Sequence, residues 1–139
     1  MLLEELQSSL GKTYLSISYR PEGPWIHADW IGYPTGNSVL QGALAYLDQM
    51  QKQGCRAVLN DNRRLVGRWD ASLEFLEQQW IPHALSTGLR YWAHLDNPGA
   101  FSVESADALR TRINGRFEVG IFEDQLQAED WLRAGLRKG

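Results

Sequence analysis

The most constraining stretch of this 139-residue chain is Ala57-Val58-Leu59-Asn60-Asp61-Asn62-Arg63-Arg64. Arg56 to Asn60 is too short for a helix and apolar without alternation, the pattern of a strand covered on both faces. The apolar run then stops abruptly and is replaced by amides, a carboxylate and two guanidinium groups. A buried central strand that delivers polar residues at its carboxyl end is where open α/β sheets usually place their sites.

The flanking segments supply the rest of such a sheet. Tyr14 to Tyr19 alternates, with Leu15, Ile17 and Tyr19 on one face, and Trp25 to Ile31 alternates again. The turn residues Arg20-Pro21-Glu22-Gly23-Pro24 between them predict an antiparallel hairpin. The spacing of Val39, Ala43, Tyr46 and Met50 predicts a helix from Ser38 to Gln53 that faces the sheet, with Gly54 as its C-terminal cap. After the central strand, Asp61 to Asp70 reads as a polar loop. Asp70 then caps a second helix over Ala71–Thr87, with Leu73, Leu76, Trp80 and Ala84 inward and Pro82 kinking it near Gln78 or ending it early.

Tyr91–Leu95 reads as a further strand, Ser102 as the cap of a helix reaching Ile113, and Phe117 to Phe122 as the last strand. Asp124 caps a final helix, Gln125–Leu136, with Leu126, Ala128, Trp131 and Leu132 inward. Residues 1–11 read equally as a short helix or an edge strand, an N-terminal extension to one domain spanning residues 1–139. The order β-β-α-β-α-β-α-β-α predicts a mostly parallel sheet with right-handed crossovers.

Charge narrows the function classes. The 14 basic and 17 acidic residues leave a net charge of −3. The one basic cluster, Arg63, Arg64 and Arg68, is too small for a polyanion surface, so no nucleic-acid partner is expected. Met1 to Leu6 carries acids where a signal peptide needs bases, and no apolar run approaches the ~20 residues of a membrane span. A cytoplasmic location is the expectation. Cys55 is the single cysteine, which excludes an intrachain disulfide and a metal site of several thiolates.

Five stretches together resemble a known group: Trp30-Ile31-Gly32-Tyr33, Leu59-Asn60-Asp61-Asn62-Arg63, Trp80-Ile81-Pro82, Gly88 to His94, and Phe122-Glu123-Asp124 with Ala128 and Trp131-Leu132. The chain from Tyr14 to Leu132 resembles the SpoIIAA-like, STAS-type small bacterial proteins. That resemblance implies a STAS-like mixed sheet of four to five strands with helices mainly on one face. In anti-sigma-factor antagonists of that fold a phosphorylatable Ser follows an Asp at the start of the second helix. Here Asn60-Asp61-Asn62-Arg63 holds no Ser beside the acid, and Ser72 is the only hydroxyl before the helix is under way.

As a binding site, Asn60, Asp61 and Asn62 form a candidate polar rim, with Arg63 and Arg64 holding an anion through their guanidinium forks. The commoner use of Asx side chains is to hydrogen-bond backbone where a strand becomes a loop. Trp69 in the polar loop is a candidate lid over an apolar pocket or a contact to another subunit, and equally a residue tucked onto its own domain. If it is a lid or a contact, Trp69→Ala leaves the melting temperature nearly unchanged. His27 and Asp29 share a strand face, but the more frequent arrangement is an exposed edge strand with polar residues. No catalytic constellation, metal site or cofactor emerges. The expectation is a non-enzymatic STAS-like regulatory or protein-interaction domain, partnered by itself as a homodimer or by a regulatory protein. The alternative is a small apolar ligand or lipid-binding module with its pocket under the Asp61–Asp70 loop.

Overall fold

The computed structural model describes residues 1–138. Its strands are β1 (Leu2–Gln7), β2 (Thr13–Arg20), β3 (Trp25–Gly32), β4 (Ala57–Leu65), β5 (Tyr91–Leu95) and β6 (Glu118–Phe122). They form one six-stranded sheet in sequential order. β1, β2 and β3 pair antiparallel, whereas β3 to β6 run parallel. The protein is therefore an α/β fold with a mixed sheet.

The sequential order settles where the helices go. Every parallel strand is added on the same side of its predecessor, so right-handed crossovers put all the connecting helices on one face. These are α1 (Gly36–Gln53), the segment over residues 70–87, and α4 (Ser102–Ile113). The final helix, α5 (Gln125–Lys138), makes no crossover and folds back over the other face against β4, β5 and β6. Two cores result. Ile17, Ile26, Val58, Trp92 and Trp80 belong to the larger, whereas Trp25, Leu59, Leu95, Ala128 and Leu132 form the smaller beneath α5.

Local chemistry accounts for the element ends. The Thr35 side chain accepts from the Ser38 N–H, and Ser38 Oγ accepts in return from the Thr35 N–H, so a capping box opens α1. Gly54 closes it at φ 70°, a left-handed conformation that favours glycine. Asp124 caps α5, its carboxylate accepting from the Leu126 N–H at 2.8 Å.

Several expectations need correction. Residues Leu2–Gln7 are an edge strand, so the sheet has six strands rather than four or five. Asp61 to Leu65 are not loop. They continue β4: Asp61 pairs with both β3 and β5, Arg64 and Leu65 pair with β3, and pairing outweighs the low strand preference of Asn and Asp. The loop shrinks to Val66–Trp69.

The second helix is composite, with a 3₁₀ turn at Asp70–Ser72, α2 (Leu73–Phe75), a π-helical turn at Leu76–Trp80 and α3 (Ile81–Thr87). Pro82 cannot donate to the turn before it, and the wider turn around Gln78 absorbs the lost bond without ending the helix. Asp70 and Ser102 cap nothing: Asp70 pairs with Arg68, and the Ser102 hydroxyl donates to Asp96. Leu126 points outward on the first turn of α5.

Gly42 tests how tightly α1 lies on the sheet. A Cβ there would sit 2.5 Å from the Trp30 ring and 2.8 Å from Leu15. In an open helix Gly→Ala stabilises by about 1 kcal/mol. Overpacking costs about 1–3 kcal/mol and outweighs that gain, so Gly42→Ala lowers stability in urea unfolding.

Candidate functional site

The predicted site residues sit on β4, and the pleat sorts them. Successive strand residues point to opposite faces. Asn60 and Asn62 face the larger core, while Asp61 and Arg63 face the α5 side. The β3–β4 register shifts by one residue between the Asp29↔Asp61 and Ile31↔Arg64 pairs, so β4 carries a bulge here. The bulge puts Arg64 on the same side as Arg63, where each guanidinium meets a carboxylate. The expected single rim is therefore two clusters on opposite faces of the sheet.

On the α5 side, Asp61 is buried at 3% exposure. It accepts from Arg63 Nε at 3.0 Å and Nη2 at 2.8 Å, from the Arg63 backbone N–H at 3.1 Å, and from His27 Nε2 at 3.0 Å. Burial alone raises the pKa of the Asp61 carboxyl, but the hydrogen bonds from His27 and Arg63 outweigh it and hold the group well below the usual carboxylate range. Arg63 also donates to Gln125 on α5, and Arg64 pairs with Asp29 at 2.7 Å. Both guanidinium groups expected to hold an anion are thus occupied by carboxylates of the protein itself. The expectation for His27 is corrected as well. β3 lies inside the sheet between β2 and β4, His27 is buried, and its carboxylate partner is Asp61 rather than Asp29.

On the opposite face a hydrogen-bonded chain runs through four buried side chains. An indole N–H can only donate, so the Trp30 contact at 2.7 Å identifies Asn60 Oδ1 as the acceptor. The Asn60 amide nitrogen then donates to His94 Nδ1 at 3.2 Å and faces Asn62 Oδ1 at 3.5 Å. Because His94 Nδ1 accepts, the ring proton sits on Nε2, which donates to Asp96 at 3.1 Å. Asp96 also accepts from the Ser102 hydroxyl and the Asn97 N–H. Serine, histidine and aspartate thus lie together, but the serine donates to the carboxylate and not to the imidazole. That order gives a structural clasp and no activated nucleophile.

Sequence reasoning missed His94, Asp96 and Ser102 as one cluster. The signal available was register: parallel strands align their carboxyl ends, and His94 is the residue paired with Asn60.

Trp69 is buried at 6% exposure. Its backbone N–H donates to Ser105 Oγ at 3.1 Å, and its ring lies 6.4 Å from the His94 ring. It is a core residue that tucks the loop onto its own domain. Beneath it lies a cavity of about 30 Å³ whose walls include Trp30, Tyr46, Asn60, Asn62, Leu65, Trp80 and Trp92. A pocket thus sits beneath the β4 end and its short loop, although a small one. Ser72, the remaining hydroxyl of the phosphoswitch comparison, is buried at 1% exposure. Among the described residues no three His, Cys, Asp or Glu side chains converge as a metal site. Burial pushes the Cys55 thiol up to about 11, which suppresses the reactive thiolate.

No family model matches the chain, and neither does any curated protein or solved structure.

Two outcomes follow from this geometry. Asp61→Asn removes a buried carboxylate from Arg63 and from the His27 ring N–H, and destabilises the fold by about 3 kcal/mol in denaturant. Because the folded-state pKa is depressed, the contribution of Asp61 is complete above its unfolded value of about 4 and fades as the pH falls through the folded value. The wild type therefore loses stability below about pH 4, and Asp61→Asn flattens that limb of a stability-versus-pH curve. Trp69→Ala empties a core site, costs about 3 kcal/mol and lowers the melting temperature, the reverse of the lid expectation.

Proposed function

We propose that this protein is a non-enzymatic, STAS-like binding domain that engages a protein partner, in the first instance a second copy of itself, through the carboxyl end of its sheet. The observation that carries this reading is the distribution of exposed apolar side chains. Strand polarity puts five connections at that end: β1–β2, β3–α1, β4 to the 3₁₀ turn, β5–α4 and β6–α5. Leu10, Tyr33, Val66 and Phe101 lie on the first four, and Leu126 lies on the first turn of α5 after the fifth. All five side chains are exposed, Leu10 and Tyr33 by more than four-fifths.

The connections at the other end are Pro21–Pro24, Gly54–Arg56, Gly88–Arg90 and Asn114–Phe117. None of them carries a large exposed apolar side chain, and the exposed apolar residues at that end include Met1 and Leu2 at the start of β1. Loops concentrate function because the sheet holds them rigidly while their side chains remain free to contact a partner. Apolar residues carried on or beside every connection at one end form a recognition pattern, whereas single scattered residues carry no such meaning.

The absence of catalysis in this reading is supported by how the reactive groups are tied. Asp61, His94 and Asp96 are buried and hydrogen-bonded within the protein. The set is small, so the association it supports is of the weak, transient class. Sedimentation across ~10–500 µM, a range suited to that class, shows concentration-dependent dimerisation of the wild type. Tyr33→Ser combined with Phe101→Ser abolishes it and leaves the melting temperature unchanged. A wild type that stays monomeric throughout overturns the self-association reading.

A further inference from the structure

The cavity beneath Trp69 has a polarity that its packing does not require. Trp30 orients Asn60, and Asn60 in turn faces Asn62 Oδ1, which turns the Asn62 amide N–H₂ away from the network. Asn62 is 1% exposed, its Nδ2 has no hydrogen-bond partner, and it stands in the cavity wall. A buried donor without an acceptor is costly, and each such group calls for an explanation.

The other uncommitted polar hydrogens in the wall are donors too. Tyr46 Oη accepts from Trp92 Nε1 at 3.1 Å, which leaves its own hydrogen free, and burial keeps the phenol protonated. Trp80, also in the wall, turns its Nε1 toward the same Tyr46 hydroxyl without closing a full hydrogen bond. The two wall acceptors, Asn60 Oδ1 and Asn62 Oδ1, face Trp30 and Asn60 respectively. No charged residue lines the space.

We propose that this cavity is a binding site for the head group of a small neutral molecule bearing a carbonyl or carboxamide oxygen. The oxygen accepts from Asn62 Nδ2, with the Tyr46 hydroxyl as a further donor. Donors without a cation favour a neutral acceptor over a carboxylate, whose desolvation they do not offset. A volume of about 30 Å³ corresponds to roughly two or three water-sized groups, the size of a carboxamide. Leu65 and Trp69 form the wall nearest the carboxyl end of the sheet. This inference stands apart from the docking reading, because none of its five exposed residues lines the cavity.

Formamide is the minimal probe and xenon its apolar counterpart. A three-atom ligand binds no more tightly than the millimolar range, so titration to about 100 mM is required. Formamide produces a saturable shift of the Trp80 indole N–H resonance in the wild type. Asn62→Leu weakens that response at least tenfold (a lost hydrogen bond to a buried donor), leaves xenon binding intact, and keeps or raises the melting temperature by removing the unpaired donor. Three outcomes overturn the proposal. They are an absent formamide response, which leaves the cavity to water or to nothing; an equal response in Asn62→Leu; and a melting temperature for Asn62→Leu several degrees lower, or failure to fold, which makes Asn62 a structural residue.

Discussion

The structure depends on one constraint: β4 carries five polar residues in sequence, Asn60 to Arg64, and the first three are buried. A strand in that position cannot leave its amides and carboxylate to water, and only the Arg63 and Arg64 side chains reach the surface. Each must find a partner inside the protein or bear the cost of desolvation. The pleat divides the problem in two. Asn60 and Asn62 turn to the aromatic core, where Trp30 and His94 meet Asn60. Asp61 turns to the α5 side, where His27 and Arg63 meet it. The bulge then brings Arg64 to Asp29 on that same side.

The larger architecture follows from covering those two faces. Sequential strand order with right-handed crossovers leaves the second face bare until the chain has finished its last strand. α5 is the only element free to cover it, and its Gln125 and Ala128 lie over the Arg63 cluster and the small apolar core respectively. β1 and β2 lie beyond the reach of α5. Ser16 and Ser18 alternate there with buried Leu15 and Ile17, the one-sided pattern of antiparallel sheet.

Rigidity and recognition are thereby separated. The groups with catalytic potential are locked in the interior, His94 by Asp96 and Asn60, Asp61 by three hydrogen bonds from Arg63 and one from His27. The apolar residues with recognition potential stand on loops at one end of the sheet. Asn62 Nδ2 is one of five buried polar atoms left without a partner, beside Arg20 Nε, Trp25 Nε1, His27 Nδ1 and Trp80 Nε1, and Asn62 lines the cavity. A local rule is broken there without a compensating contact in the protein, which is the usual mark of a site that meets something else.

The sequence by itself determined the succession of elements from β2 onward, several of their ends, and the inward faces of α1 and of residues 70–87. Those are local matters: period, turn residues and caps act over a few residues, as Gly54, Gly88 and Asp124 show. It determined too that β4 is central, because a non-alternating apolar run fits only a strand covered twice. Tertiary structure decided what a local reading could not reach. Asn62 and Arg63 belong to a strand because β3 extends beside them, past the end of β5 at Leu95. Leu2–Gln7 is a strand because β2 offers an edge, and Trp69 is core because Ser105 and His94 lie where its loop returns. Whether Asn60 and Asp61 share one site or occupy two was likewise beyond composition. The answer lay in the parity of a strand and the position of one bulge, set by pairing with residues more than thirty positions away.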